Sequence, residues 1–169
     1  FVESGYRPGA RNGKGPAGLW QFIGSTARLH DVPVHASYDG RLSPVDSTRA
    51  AVDYLRKLYG LFGGNWELAV MAYNTGEARV LQAVRNAGGN YAELGPAELA
   101  GISPITYAYV QKLHALSCVL EKNGSQDRWL AALDRPVPRL TVQTLPRDCH
   151  EPGRLGARPR PRPGLLARL

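Results

Sequence analysis

Three short stretches of the sequence carry side chains that could do chemistry. Glu3 stands before a loop rich in Gly and Arg, and a carboxyl group can act as a general acid or base. Residues 18–22 read GLWQF, which puts two aromatic rings and an amide at the predicted start of a helix. Tyr73 and Asn74 precede Gly76, which interrupts a helix. Each stretch taken alone also fits a plain structural role, namely a solvated carboxylate, a pair of core aromatics and a buried tyrosine at a helix end.

The remaining reactive side chains do not group into a recognisable site. The four histidines show no H-x-x-x-H pattern and no mixed spacing with cysteine of the kind that binds a metal ion. Two cysteines are too few for a disulfide framework, and Cys118, within the apolar run LSCVL, is predicted to be a small core residue. The sequence therefore predicts no metal site.

The elements that must position these residues are predicted to be helices. From Ser43 to Gly63, apolar residues recur at spacings of three and four, and Ser43 followed by Pro44 is favoured at a helix start. Four further helices are predicted, between Leu19 and Leu29, from Asn65, after Gly76 and from Ser103. No stretch shows sustained alternation with β-branched residues, so strands are not expected as the main scaffold. An all-α domain with short connections follows.

Charge is distributed unevenly along the chain. The 169 residues carry a formal net charge of +7, but residues 1–134 hold 13 Lys and Arg against 12 Asp and Glu. Residues 135–169 hold eight Arg and two acidic residues, and they alternate Arg with Pro. Such a segment cannot bury a core, so it is predicted to be a disordered basic tail. No apolar run approaches the roughly 18–20 residues that cross a bilayer.

Taken together and in this order, the stretches resemble the lytic murein transglycosylases. The shared pattern runs from the Glu-Ser pair at Glu3 through GLWQF and AYN-x-G-E-x-R-V to T-x-x-Y-V-x-K in the last predicted helix. Closer similarity to the membrane-bound D type lies in the connecting phrases DGRLSPVDSTRAAVDYLRKLY and GGNWELAVMAYNTGEARV. The resemblance covers residues 1 to about 122 and implies a lysozyme-like helical domain.

The resemblance implies a reaction carried by one carboxyl group. Members of this family cleave the β-1,4 bond between N-acetylmuramic acid and N-acetylglucosamine in peptidoglycan, and the muramoyl 6-hydroxyl attacks C1 to leave a 1,6-anhydro ring. Glu3 inherits the role of catalytic acid and base, and this chemistry needs no cofactor. Glycosidases with paired carboxylates need a second one within roughly 5–10 Å, and none lies beside the three stretches. Burial against apolar walls must then raise the pKa of Glu3.

The resemblance also implies a set of substrate-binding residues. Tyr73 is expected to point its hydroxyl toward the catalytic carboxyl, and Asn74 to hold the turn or the sugar. Gln21 is expected to offer its amide to an N-acetyl or hydroxyl group, while Ile23 forms a wall. Tyr109 corresponds to the tyrosine that closes the groove from the last helix.

Three positions depart from the family pattern. Asn12 stands where many relatives have a sugar-contacting Ser, and it can still donate and accept hydrogen bonds. Ile105 replaces a Glu at the start of the last helix, which removes a carboxylate from the groove. Gly24 replaces a helix-supporting Pro, with an effect expected to be local.

The expected domain organisation is a catalytic domain at residues 1–134 followed by the basic tail at residues 135–169. The helix that carries Glu3 should extend upstream, so we expect a domain truncated at its N-terminus. The expected partner is the peptidoglycan glycan strand, bound by a monomer in the periplasm or at the outer membrane. No nucleic acid is expected, because residues 1–134 show no basic patch.

Three alternatives stay open at this point. A hydrolytic muramidase on the same fold would use water in place of the 6-hydroxyl. A non-catalytic peptidoglycan-binding module would bind glycan without turnover. Nucleic-acid binding through the Arg-rich tail would show a steep salt dependence confined to residues 135–169.

Overall fold

The computed structural model describes residues 1–13 and 15–122, and these fold mainly as helices. The five α-helices are α1 (Gly24–Leu29), α2 (Pro44–Leu61), α3 (Trp66–Thr75), α4 (Glu77–Asn86) and α5 (Pro104–Lys122). A small antiparallel hairpin joins β1 (Val34–His35) to β2 (Tyr38–Asp39), and 3-10 turns lie at Gly40–Leu42 and Pro96–Glu98. The prediction of an all-α domain is confirmed. The predicted basic tail, and residues 123–134 of the predicted domain, lie outside the described residues.

The longest helix of the first half, α2, begins where the sequence predicts. Ser43 Oγ accepts a hydrogen bond from the backbone N–H of Asp46 at 3.3 Å and donates one to its carboxylate at 2.7 Å. The carboxylate of Asp46 also lies in the first turn, where the helix dipole favours negative charge. Ala51, Leu58 and Phe62 are fully buried, so the predicted apolar stripe faces the core.

Helix α3 lies at the centre of the domain and packs against α2, α4 and α5. Asn65 caps it, because its Oδ1 accepts from the backbone N–H of Leu68 at 3.1 Å. The amide nitrogen of Asn65 donates to the carbonyls of Tyr91 and Leu94, at 2.8 and 3.0 Å. These bonds fix the connection between α4 and α5 against the start of α3. Gly76, at a φ of +96°, lets the chain turn directly from α3 into α4.

The buried apolar side chains form two clusters. The larger cluster is built mainly by α2 to α5 and includes Leu58, Phe62, Leu68, Met71, Val80 and Val84. The smaller cluster surrounds α1 and the start of α2 and includes Phe22, Ala27, Val32 and Ala51. Tyr54 and Tyr73 pack against both clusters. These two rings therefore join the clusters into one domain.

Residues 1–13 and 15–22 fold as turns and isolated bridges. Around Glu3, the backbone N–H of Gly5 donates to the carbonyl of Phe1 at 2.8 Å, which closes one helical turn. Further along, Ala17 pairs with Arg11 and with Phe22, so this segment folds back on itself and packs over the helical part.

Two sequence predictions about local structure are wrong. GLWQF does not start a helix, because Gln21 adopts a φ of +48°, which a right-handed helix does not tolerate, and α1 begins only at Gly24. Cys118 is exposed and not a core residue. Of the residues on α5, only Thr106 and Val110 are buried, because the later turns of this helix extend past the larger cluster.

None of the helices within the described residues is both long and apolar enough to span a membrane.

Candidate active site

A groove of about 410 Å³ opens between the N-terminal segment and the helices α2 and α3. Six of the seven residues that the sequence predicts to act on substrate line it, and these are Glu3, Asn12, Gln21, Ile23, Tyr73 and Asn74. The seventh, Tyr109, contacts Glu3 from α5. Among the described residues that line the groove, Glu3 is the only one with a carboxyl group.

The carboxyl group of Glu3 is partly buried at the wall of this groove. Burial raises the pKa of Glu3 above its usual range, because an ionised carboxylate loses solvation there. The hydrogen bond from Tyr109 lowers the pKa by a smaller amount. The carboxyl therefore keeps its proton to a higher pH than an ordinary glutamate, as a general acid requires.

Tyr109 is the group that orients Glu3. Its hydroxyl donates to Glu3 Oε1 at 2.6 Å, across 106 positions of sequence. Burial and the neighbouring Glu3 carboxylate both raise the pKa of the Tyr109 hydroxyl, so it stays protonated and remains a donor. This bond occupies one carboxyl oxygen, which makes the other oxygen, Oε2, the one that could exchange a proton with a ligand.

Tyr73 lies near Glu3 but hydrogen-bonds elsewhere. The sequence predicts that its hydroxyl points toward the catalytic carboxyl; this hydroxyl donates to the backbone carbonyl of Trp20 at 2.9 Å. The pKa of Tyr73 is raised by burial and by the nearby Glu3. Tyr73 therefore contributes a wall of the groove and fixes the GLWQF turn, while the hydrogen bond to Glu3 comes from Tyr109.

Gln21 uses the nitrogen of its side-chain amide within its own segment. Its amide nitrogen, expected to be offered to a sugar, donates to the carbonyl of Gly18 at 2.8 Å and to that of Ala10 at 3.4 Å. A left-handed backbone costs a non-glycine residue roughly 1–2 kcal/mol, and these two bonds help to offset that cost. The carbonyl oxygen is then the atom of this side chain that could accept a hydrogen bond from a ligand, and the predicted contact of the Gln21 amide with a sugar stays a prediction.

The other predicted residues lie where a ligand could meet them. Ile23 is 48% exposed although it is a large apolar residue, which suits a wall that a sugar ring covers. Asn74 is exposed at the end of α3, and its Oδ1 accepts from the hydroxyl of Thr106 at 2.9 Å. This bond joins the end of α3 to the start of α5. Asn12 lines the groove from the N-terminal segment.

Some residues of the site were not predicted from the sequence. Tyr54 lines the groove from α2, with its ring 5.6 Å from that of Tyr73. Arg41 lies buried beneath the N-terminal segment and donates to two of its backbone carbonyls. The phrase DGR around Arg41 belongs to the resemblance, but nothing in its spacing indicates that it contacts residues 15–22.

The arrangement suits proton transfer to and from one ligand oxygen. A single carboxyl with a raised pKa lies in a groove whose walls are aromatic, aliphatic and amide side chains. Such walls are typical of carbohydrate sites, because rings pack on apolar surface while hydroxyl groups meet amides. The described residues contain no group of three or more His, Cys, Asp or Glu side chains that could hold a metal ion.

Comparison with known proteins agrees with this geometry. The family model described as "Transglycosylase SLT domain" matches residues 1–94. Similar proteins include the "Membrane-bound lytic murein transglycosylase D" of Escherichia coli (strain K12), which is 38% identical over 125 residues, or 73% of this chain. Those residues make up 27% of that relative, so the chain matches only about a quarter of its length.

Two further relatives match over shorter stretches of the chain. The "Putative tributyltin chloride resistance protein" of Alteromonas sp. (strain M-1) is 40% identical over 86 residues, which cover 51% of this chain and 42% of that protein. The "Peptidoglycan transglycosylase gp16" of Escherichia phage T7 is 37% identical over 81 residues, which cover 47% of this chain and 6% of that protein. With a family model matching more than half of its residues and a helical, lysozyme-like fold, this chain belongs to the transglycosylase SLT domain family.

Proposed function

We propose that this chain is a lytic transglycosylase domain that cleaves the β-1,4 bond between N-acetylmuramic acid and N-acetylglucosamine in peptidoglycan. The observation that carries the proposal is the partly buried Glu3 carboxyl, bonded by Tyr109, in a groove with no second carboxyl among its described lining residues. The names of two relatives, a lytic murein transglycosylase and a peptidoglycan transglycosylase, support the same substrate.

In the proposed mechanism, Glu3 acts first as an acid and then as a base. Protonated Glu3 gives its proton from Oε2 to the glycosidic oxygen as the bond from that oxygen to C1 of the muramoyl residue breaks. The 6-hydroxyl of the same residue then bonds to C1, and its proton passes to the Glu3 carboxylate. The products are a free 4-hydroxyl and a 1,6-anhydro ring, so no water is consumed. One carboxyl suffices because the substrate supplies its own nucleophile.

Tyr109 and the groove walls assist at different stages. The Tyr109 hydroxyl stabilises the carboxylate formed after the first proton transfer, since a hydrogen bond to a charged acceptor is worth about 1.5–3 kcal/mol. Ile23 and Tyr73 are proposed to pack against sugar rings. The amide groups of Asn12, Asn74 and Gln21 are proposed to meet N-acetyl and hydroxyl groups. The proposed place of action is the cell envelope, in the periplasm or at the outer membrane, where this substrate lies.

The experiment compares the purified chain with Glu3→Gln on peptidoglycan sacculi, with mass spectra of the released muropeptides. Release of anhydro-muropeptides by the first, and a rate lower by about 10²–10⁴-fold for the second, is expected if Glu3 is the acid and base. Products heavier by one water would show a hydrolytic muramidase. Binding to sacculi without any release, by a protein with a helical circular dichroism spectrum, would show a binding module and contradict the proposed reaction.

A further inference from the structure

We propose that Arg41 is a positioning residue that holds one wall of the groove in its glycan-binding shape. Arg41 lies on the 3-10 turn Gly40–Leu42, is only 8% exposed, and is not among the described residues that line the groove. It acts on residues 15–22, here called the wall segment, which carries three of the groove-lining residues, namely Pro16, Gln21 and Phe22. This inference rests on the proposed function, because it assigns a role in binding the same glycan.

The guanidinium of Arg41 forms hydrogen bonds with both ends of the wall segment. Its Nη1 donates to the carbonyl of Gly15 at 2.7 Å and to that of Phe22 at 3.0 Å. These two carbonyls bracket the wall segment, and between them the chain makes the turn that contains Gln21. A shift of the guanidinium would therefore break the hydrogen bonds at both ends of the wall segment together.

Arg41 is itself fixed by a carboxylate. Its Nε and Nη2 donate to the two oxygens of Asp39 at 2.8 and 2.9 Å, in the bidentate geometry that planar guanidinium and carboxylate groups share. Arg41 is the largest influence on the Asp39 carboxyl and lowers its pKa below the usual range. Asp39 also accepts from Arg11 at 3.1 Å, on the strand-like stretch that pairs with Ala17.

Close backbone packing completes the contact between Arg41 and the wall segment. Gly18 has a φ of +82°, and a Cβ added to it would lie 1.8 Å from the carbonyl oxygen of Arg41. Side chain and backbone of Arg41 therefore meet three points of the wall segment, at Gly15, Gly18 and Phe22. Nη1 supplies the two N–H groups that bind Gly15 and Phe22, while Nε and Nη2 bind Asp39. All four N–H groups lie in the plane of the guanidinium, and a lysine ammonium cannot reproduce that arrangement.

The groove needs such a support because the wall segment has no helix of its own. Its conformation depends on long-range hydrogen bonds, which include the Tyr73 hydroxyl on the Trp20 carbonyl and the Trp20 indole on Thr48 at 2.9 Å. Glu3 is held separately, by its own turn and by Tyr109. Loss of Arg41 should therefore weaken glycan binding more than the chemical step.

The test compares wild type with Arg41→Lys and Asp39→Asn, and with Arg56→Lys as the matched control. Arg56 pairs with Asp53 at 3.8 Å on the exposed side of α2, with a side chain 77% exposed. Amide hydrogen exchange is measured for peptides from residues 10–22 and for peptides from α3 and α4. KM and kcat are measured on a soluble oligosaccharide of alternating N-acetylglucosamine and N-acetylmuramic acid.

The expected result is faster exchange in residues 10–22 of Arg41→Lys, with unchanged exchange in α3 and α4 and a KM raised about tenfold. A rise in KM at nearly constant kcat indicates lost binding that ground state and transition state share. Asp39→Asn should act in the same direction, and Arg56→Lys should match wild type. Unchanged exchange in residues 10–22, or exchange that rises equally throughout the domain, would overturn this inference.

The same experiment separates this inference from the proposed function. If wild type released no product from the oligosaccharide and did not bind it, the proposed function would fail. The exchange data would still decide whether Arg41 holds the wall segment. If wild type cleaved the oligosaccharide and Arg41→Lys showed local exchange but an unchanged KM, the inference would be wrong and the proposed function would stand.

Discussion

Glu3 and Tyr109 meet although they lie at opposite ends of the described chain, and the properties of each depend on the other. The hydroxyl bond lowers the Glu3 pKa against the larger effect of burial, and the Glu3 charge helps to raise the Tyr109 pKa. Such a carboxyl keeps its proton to a higher pH than an ordinary glutamate, and the Tyr109 bond still stabilises it once the proton has left. Two predictions follow from this pair.

The first concerns Tyr109→Phe, which removes the hydrogen bond and keeps the ring. Because that bond lowers the Glu3 pKa, its loss should move the alkaline limb of the pH–rate profile to higher pH. The rate at the optimum should fall about 10- to 100-fold, since the carboxylate loses an interaction worth about 1.5–3 kcal/mol. Full pH profiles of kcat measure both effects.

Two other tyrosines serve as controls for this variant. Tyr107→Phe loses a hydroxyl that donates to the Leu99 carbonyl, on the same helix as Tyr109. Tyr73→Phe loses the bond to the Trp20 carbonyl. Neither hydroxyl bonds Glu3, so neither variant should move the alkaline limb as far as Tyr109→Phe. A larger shift in Tyr73→Phe would favour the role that the sequence predicted for Tyr73.

The second prediction concerns stability against pH. The folded state holds the Glu3 proton to higher pH than the unfolded state, in which the pKa of a glutamate is about 4.3. The contribution of Glu3 to stability is therefore complete below that pH and is lost as pH rises through the raised folded pKa. Melting temperatures of wild type and Glu3→Gln, measured from pH 4 to pH 8, should diverge in favour of Glu3→Gln. Parallel curves would contradict the raised pKa.

At the scale of elements, polar side chains at the helix ends link one helix to the next. Asn65 caps α3 and also binds two carbonyls of the connection that precedes α5. Thr106 is buried at the start of α5 and bonds Asn74 at the end of α3. Since α5 carries Tyr109, these contacts set where its hydroxyl lies relative to Glu3.

Asn65→Ala tests this linkage. The change removes a cap, worth about 0.5–2 kcal/mol, and two further hydrogen bonds of about 0.5–1.5 kcal/mol each. We expect the free energy of unfolding to fall by about 2–4 kcal/mol, as measured by urea denaturation. Asn86→Ala is the matched control, because Asn86 accepts only an exposed bond from Gln82 and should change stability by less than about 0.5 kcal/mol. Equal effects from both changes would contradict the role of Asn65.

At the scale of the whole molecule, the groove lies where the two hydrophobic clusters meet. Tyr54 and Tyr73 pack against both clusters and also line the groove. The site is therefore formed by the same contacts that unite the domain. A substitution that disrupts the packing of either cluster should therefore also change the shape of the groove.

This arrangement predicts one cooperative unfolding transition. Leu58→Ala in the larger cluster and Phe22→Ala in the smaller one should each cost about 2–5 kcal/mol, because both side chains are buried. Circular dichroism and tryptophan fluorescence should report the same midpoint in each variant. Leu29→Ala, at a residue 81% exposed, should leave the midpoint nearly unchanged. Two separated transitions in Phe22→Ala would show that the clusters unfold independently.

The sequence alone predicts the helices α2 to α5 and most of the groove. Ser43 and Asn65 cap helices at the predicted positions, and Gly76 separates α3 from α4. These features are local, because caps, breaks and apolar spacing act over a few residues. The resemblance carried by the three stretches placed Glu3, Asn12, Gln21, Ile23, Tyr73 and Asn74 as a set, and all six line one groove.

Only the tertiary structure decides which atoms of that set meet. The bond to Glu3 comes from Tyr109 and not from Tyr73, the amide of Gln21 turns inward, and Arg41 supports a segment some 20 residues away in sequence. The small hairpin and the left-handed turn at Gln21 also had no clear local signal. Each of these features depends on how the N-terminal segment packs against α2, α3 and α5, and long-range packing leaves no periodic pattern in the sequence.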